Sequence, residues 1–219
     1  MKKYFEILRN CPLFAGIADE NLTAMLGCLD AKACRFDKSQ TVIAEGSRAR
    51  HIGILLSGSV QIVRVDYYGN KSIVATVEPG EIFGESFACA EVEEIPVTVI
   101  ATEPSAVLLI DCNRVLHACN HACAFHSRMI FNLMKVVAMK NLVFHQKIEI
   151  TSKRTTREKL MTYLLLQAKK NDSQSFTIPY DRQGLADYLE VDRSGLSAEI
   201  SKLRREGVLM CRRNSFTLL

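Results

Sequence analysis

Hydrophobic positions along the 219-residue chain change period twice. Over residues 4–30, Leu8, Leu13, Leu22, Met25, Leu26 and Leu29 read as helical, with Asp19 placed to cap the turn before Leu22. From Ala31 to Cys112 the pattern becomes β-branched runs separated by turn residues: "TVIAEG", "HIGILLSGSVQIVRV", "SIVATV", "PVTVIA" and "AVLLI". Gly69-Asn70 falls between two runs, as a hairpin tip would. Many short strands at regular spacing predict a β-sandwich or roll.

Helical period returns from Asn113 to Ile150. Cys119, Cys123, His126, Ile130, Leu133, Val137 and Phe144 lie at spacings of 4, 3, 4, 3, 4 and 7, a heptad-like seam. Residues 123–150 would span roughly 40 Å as one helix. A long helix with a narrow apolar stripe is expected to pair with a copy of itself. The competing expectation is that it packs on its own β domain. After "TSKRTT", Arg157–Lys169 reads as a further helix and "NDSQSFTIPY" as a turn-rich strand pair.

The last stretch carries the most specific pattern. In "RQGLADYLEVDRSGLSAEISKLRREG", Leu185, Ala186 and Leu189 form the inner face of one short helix, and Leu196, Ile200 and Leu203 that of a second. Asp192 suits the N-cap of the second helix and Gly207 its stop. Val208–Leu219 can fold into a two-stranded wing with Asn214-Ser215 near its tip. This is the pattern of a winged helix-turn-helix, whose second helix enters the DNA major groove. Arg193, Ser194, Ser197 and Lys202 are the candidate base-reading residues. Lys153, Arg154, Arg182, Arg204, Arg205, Arg212 and Arg213 are candidate phosphate contacts.

Charge supports a polyanionic partner. Residues 1–146 hold 14 Lys and Arg against 15 Asp and Glu, net −1, while residues 147–219 hold 14 against 9, net +5. Composition is otherwise that of a soluble globular protein, 48% hydrophobic and 24% charged. No apolar run approaches the ~20 residues that cross a bilayer, and the start of the chain lacks a signal-peptide core. A cytoplasmic protein, with its eight cysteines reduced and no membrane partner, is the expectation.

The whole chain resembles the Crp/Fnr family of bacterial transcription regulators. The resemblance rests on "LLSGSVQIV", "PGEIFGE", "KRTTREKLMTYLL" and "GLADYLEVDRSGLSAEISKLRREGVL". It implies an α+β fold with an N-terminal β-roll of the cyclic-nucleotide-binding jelly-roll type (1–122), a long dimerisation helix (123–150) and a C-terminal winged helix-turn-helix (151–219). It also implies a homodimer, a palindromic operator and RNA polymerase as a further partner. Two positions depart from the family: Ala198 stands where an arginine is usual in the recognition helix, and Glu190 where glycine often holds the turn.

In the family's cyclic-nucleotide members, the "FGE" stretch cradles the phosphate and an Arg-Ser pair neutralises it. Gly84 and Glu85 match; the pair aligns with Ile95-Pro96, followed by Val97-Thr98. Ser72 to Asn113 contains eight acids and neither Lys nor Arg. Cyclic AMP is therefore not expected, short of a cation reaching in from elsewhere such as Arg48 or Arg50. Gly84, Glu85, Ser86, Val97 and Thr98 mark a candidate pocket for a neutral or apolar effector.

"CNRVLHACNHACAFH" places Cys119 and Cys123 one turn apart with His126 beyond, a candidate site for a metal, haem, an iron–sulfur cluster or redox chemistry. The competing reading makes them small buried seam residues, with no cofactor. No Ser-His-Asp, Cys-His or paired-carboxylate set is placed near the pocket, so no enzyme activity is expected. The alternative to a DNA-reading regulator is a ligand-binding β-roll receptor or redox/metal sensor whose basic tail serves another purpose.

Overall fold

The computed structural model describes residues 2–116 and 124–219; the candidate residues Cys119 and Cys123 lie outside them. The fold is mixed α+β and divides into two compact units, residues 1–70 with 74–141, and residues 71–73 with 142–219.

In the first unit the N-terminal segment is two helices, α1 (Phe5–Asn10) and α2 (Asp19–Cys28), separated by a 3-10 turn at Pro12–Phe14. The sequence pattern suggested helix throughout. Pro12 and Gly16, with φ +76°, interrupt it. Asp19 is not the cap: Ala18 is, and Asp19 sits inside the first turn, where its charge favours the helix N-terminus.

Strands β1 (Lys32–Phe36), β2 (Thr41–Ile43), β3 (His51–Ser57), β4 (Val60–Val65), β5 (Lys71–Val77) and β6 (Ile82–Phe83) follow. Helix α3 (Glu85–Cys89) then precedes β7 (Thr98–Ala101), β8 (Ser105–Asp111) and helix α4 (Cys112–Leu116). The strands form two four-stranded sheets, ordered β1-β8-β3-β6 and β2-β7-β4-β5. The β4–β5 turn is held by Asp66, whose carboxylate accepts from the N–H groups of Tyr68 and Asn70, with Gly69 at φ +84°.

Strand β3 reads as an unbroken apolar run because both its faces are covered. Ile52, Ile54 and Leu56 join α1, α2 and α4 in one core, while Leu55 joins the other core, with β4 and β7. Gly53 is required between them, since a Cβ there would come within 2.3 Å of the Phe83 ring.

Helix α5 (Ala124–Thr151) is a single 28-residue element. Its stretch up to Asn141 packs on the first unit, with Met129 and Leu133 buried in the helix-side core. The buried Asn132 donates to the carbonyls of Leu13 and Ala15 at 3.0 and 2.9 Å. The expected seam is thus partly used within the chain: His126 and Leu133 are buried, whereas Phe144 is exposed.

The second unit holds α6 (Thr156–Asn171), β9 (Ser175–Thr177), α7 (Arg182–Leu189), α8 (Arg193–Arg205), β10 (Leu209–Arg212) and β11 (Ser215–Leu218). A reciprocal capping box between Thr155 and Glu158 starts α6. "NDSQSFTIPY" is not a strand pair. It gives one strand, β9, which pairs with β11 in a sheet ordered β10-β11-β9.

Candidate nucleic-acid interface and effector site

Helices α7 and α8 are joined by a tight corner. Asp181 caps α7 through the N–H of Gly184 at 2.7 Å, and Asp192 caps α8 through the N–H groups of Ser194 and Gly195 at 3.0 and 3.1 Å. Glu190 ends α7 at φ +53°, a left-handed conformation that costs a non-glycine residue on the order of 1 kcal/mol. The Lys159 ammonium donates to its carbonyl at 3.2 Å. Leu185, Ala186 and Leu189 of α7 are buried, as are Leu196, Ile200 and Leu203 of α8. Gly207, at φ +71°, follows the helix end.

At 100° per residue, the face of α8 opposite its buried leucines carries Ser194, Ala198, Ser201 and Arg205, with Lys202 beside them. Ser194, Ser201, Lys202 and Arg205 are exposed. Arg193 opens the helix, also exposed, while Ser197 is half-buried on its flank. Ser201 was missed by sequence reasoning, although it lies seven residues beyond Ser194 on the same face. The Ser194 hydroxyl donates to the Asp192 carboxylate, so it can only accept from a further partner. That contact and the two backbone N–H groups hold the Asp192 carboxyl below the usual range.

Arg204 lies in the last turn of α8, Arg212 ends β10 and Arg213 forms the wing turn at φ +55°; all three are exposed. Arg154 is exposed and Lys153 half-buried, just before α6. Arg182 is half-buried at the start of α7, its guanidinium 4.0 Å from the Cys211 sulfur.

The β-roll presents a different chemistry. Gly84 caps α3 at φ +76°, and a Cβ there would sit 3.2 Å from the His51 carbonyl. Glu85 follows with only 2% of its surface exposed. Its Oε1 and Oε2 lie 3.0 and 3.1 Å from the Lys140 ammonium of α5, and the Ser86 hydroxyl donates to Oε1 at 3.2 Å. Lys140 also donates to the Ile82 carbonyl. The cation that reaches this site is therefore Lys140, which sequence reasoning did not single out. Arg50 is instead engaged by Asp111 at 3.0 Å.

Ile95 and Val97 do not face an open anion site. Both are buried in the core between the sheets, with Val60, Phe83 and Val99. Ile95 is stitched to a neighbouring turn by its N–H to the Ser47 carbonyl and its carbonyl to the Gly46 N–H, each 2.9 Å. Thr98 is half-buried and opposite Val63 in the β4–β7 register. His126 is buried, with its Nε2 2.9 Å from the Arg114 carbonyl oxygen. Among the described residues no group of three or more His, Cys, Asp or Glu could hold a metal ion, and no helix is long and apolar enough to cross a membrane.

A β-roll with a helix-capping glycine-glutamate pair and a separate winged helix-turn-helix define an effector-linked DNA-binding protein. Residues 33–122 match the cyclic nucleotide-binding domain and residues 158–219 the Crp-like helix-turn-helix domain. The chain belongs to the Crp/Fnr family of DNA-binding transcription regulators. Among similar solved structures is CLP, the c-di-GMP responsive global regulator of Xanthomonas campestris. It is 17% identical with a TM-score of 0.73, the match covering 90% of this chain and 98% of that one. FixK2 from Bradyrhizobium japonicum is 18% identical with a TM-score of 0.65, over 86% and 92%. A transcriptional regulator of the CRP family from Thermus thermophilus is 22% identical with a TM-score of 0.60, over 85% and 91%. These likenesses show a shared fold. No curated protein sequence matches the chain.

Proposed function

We propose that the chain is a cytoplasmic homodimeric regulator that reads a palindromic operator and answers to an effector other than cyclic AMP. Residues 1–122 sense, 123–150 dimerise and 151–219 bind DNA. The observation that carries the effector reading is the Lys140–Glu85 pair. In the family's cyclic-nucleotide members the glutamate matching Glu85 takes the ribose hydroxyl; here that carboxylate is buried and already accepts from Lys140 and Ser86. The positions that align with the family's Arg-Ser pair hold Ile95, buried in the inter-sheet core, and Pro96, exposed but uncharged. Desolvating a phosphodiester there, with Lys140 already committed to Glu85, costs several kcal/mol. A small neutral or apolar ligand near Gly84, Glu85, Ser86 and Thr98 meets no such penalty.

On DNA, Arg193, Ser194, Ser197 and Lys202 read base edges, and Lys153, Arg154, Arg182, Arg204, Arg205, Arg212 and Arg213 hold phosphates. Ala198 can touch a thymine methyl but cannot reach a guanine edge, so the operator differs from that of relatives with arginine there. Dimerisation is supported by the apolar face that α5 leaves exposed, with Phe131, Met134 and Ala138 in one stretch and Leu142 and Ile148 further along.

Selection of bound sequences from random duplexes, followed by calorimetric titration with cyclic AMP and cyclic GMP, tests the reading. A two-fold symmetric consensus and no heat of nucleotide binding are expected. An asymmetric or absent consensus would overturn the DNA half of the reading, and micromolar cyclic AMP binding the effector half.

A further inference from the structure

Two of the described cysteines are neighbours in space and used by nothing above. The Cys89 sulfur, at the last residue of α3, lies 3.7 Å from the Cys112 sulfur, at the first residue of α4, although the two are 23 residues apart in sequence. Both belong to the first unit. Cys89 is half-buried, so a small reagent reaches it, while Cys112 is 2% exposed and shielded from direct attack.

We propose that Cys89 and Cys112 form a dithiol site that hydrogen peroxide, or a related small hydroperoxide, oxidises to a disulfide. Each sulfur sits at a helix terminus, Cys89 on a helix of only five residues. Closing 3.7 Å to the ~2.05 Å of a bond therefore moves a short helix end, not a sheet.

The two cysteines have unequal roles. The thiol of Cys112 hydrogen-bonds the Cys89 sulfur and favours its thiolate, drawing the Cys89 pKa below the usual thiol value. The same contact, together with burial and the nearby carboxylates of Asp111 and Glu91, keeps Cys112 protonated. Glu85, one turn before Cys89, acts against the Cys89 thiolate. Cys89 is thus the attacking group. Its thiolate displaces one peroxide oxygen: the S–O bond forms, the O–O bond breaks, and Cys89 becomes a sulfenic acid as hydroxide leaves and takes up the proton that the thiol had released, giving water. The Cys112 sulfur then attacks the Cys89 sulfur. The S–S bond forms, the S–O bond breaks, and a second water leaves with the Cys112 proton. Overall, two thiols and one peroxide give one disulfide and two waters. An external dithiol restores the pair by exchange.

The product would tie α3 to α4. Helix α3 begins with Glu85, which Lys140 holds, so the cross-link bears on the same element as the candidate effector site. The oxidation is independent of which effector or operator the protein takes.

The test uses the full-length reduced protein. It is exposed to one equivalent of hydrogen peroxide, quenched with N-ethylmaleimide and digested without reductant for mass spectrometry. A Cys89–Cys112 linked peptide, lighter by two hydrogens than the two thiol peptides, is expected as the first product. The free-thiol titre should fall by two and recover with dithiothreitol. In Cys112→Ala, Cys89 should stop at a sulfenic acid that dimedone traps; in Cys89→Ala, Cys112 should remain alkylatable after unfolding. Oxidation of the exposed Cys28 or of Cys34 ahead of the pair would overturn the proposal. So would a wild-type Cys89 that stays fully alkylatable, and that measurement needs no variant to fold.

Discussion

The Lys140 ammonium stands 3.0 Å from the Glu85 carboxylate and ties helix α5 to the head of α3, with Glu85 almost fully buried and Lys140 29% exposed at its side chain. Removing one partner of a buried pair leaves an uncompensated charge. Lys140→Met should therefore cost about 3 kcal/mol of stability, read by urea unfolding. Lys140→Met combined with Glu85→Gln should recover more than half of that loss, because no charge is left buried. If the single and double variants are equally unstable, the loss does not come from an unpaired buried charge, and the argument that Lys140 already occupies the Glu85 carboxylate weakens.

On the DNA side, position separates readers from holders. Arg193 begins α8 and is exposed at the end that would lead into the groove. Arg193→Ala should cost about 1–3 kcal/mol and relax preference at one base pair of each half-site. Arg212→Ala combined with Arg213→Ala at the wing should weaken all sequences alike and flatten the dependence of log affinity on log salt by about 2 per wing. Anisotropy titrations at several salt concentrations on operator and scrambled duplexes distinguish these outcomes.

Much of the second unit was legible because its signals are local. Asp192 caps the helix it precedes, Gly207 follows the helix it stops, and the leucines of α7 and α8 announce their faces by spacing alone. Contacts between distant residues were not. Lys140 lies 55 residues from Glu85, and nothing in either neighbourhood names the other. The turn-rich spacing of "NDSQSFTIPY" points to a strand partner within the segment itself, but Phe176 pairs with Phe216. On α5 the periodicity grouped residues by face without telling what covers each face. His126 and Leu133 go to the chain's own first unit, leaving a different stripe exposed.

That exposed stripe yields a prediction about assembly. Met134 is 64% exposed and Phe131 46%, with Ala138 on the same face and Arg128 and Lys135 flanking the Phe131 ring. Neither Phe131 nor Met134 belongs to the buried core of the chain. Met134→Glu should leave the monomer fold unchanged by circular dichroism while shifting the mass seen by sedimentation from dimer to monomer. Leu133→Glu, which buries a charge in the first unit's own core, should instead unfold it.

The second unit should also show a distinctive response to alkaline pH, set by Lys147. Its ammonium lies 3.5 Å from the centroid of the Tyr188 ring and donates to the Tyr188 carbonyl. Burial there depresses its pKa from 10.5 to about 8, with Glu190 opposing and Lys159 reinforcing the shift. Below pH 8 both folded and unfolded chains hold the proton, and the cost of burying the charge is fully present. Between pH 8 and 10.5 the unfolded chain binds the proton that the folded chain releases, so this residue makes stability rise with pH. Tyr163 and Tyr188 act in the opposite sense. Burial raises their pKa values, so above about pH 10 the unfolded chain loses protons that the folded one retains, and stability falls. The contribution of Lys147 is isolated by subtracting the unfolding free energy of Lys147→Met from that of the wild type at each pH, which cancels the tyrosines and thiols common to both. That difference should be flat from pH 6 to about 7.5 and climb in favour of the wild type from pH 8 to 10. A difference that stays level across the whole range would show that Lys147 is solvated and that its contact with Tyr188 does not exclude water.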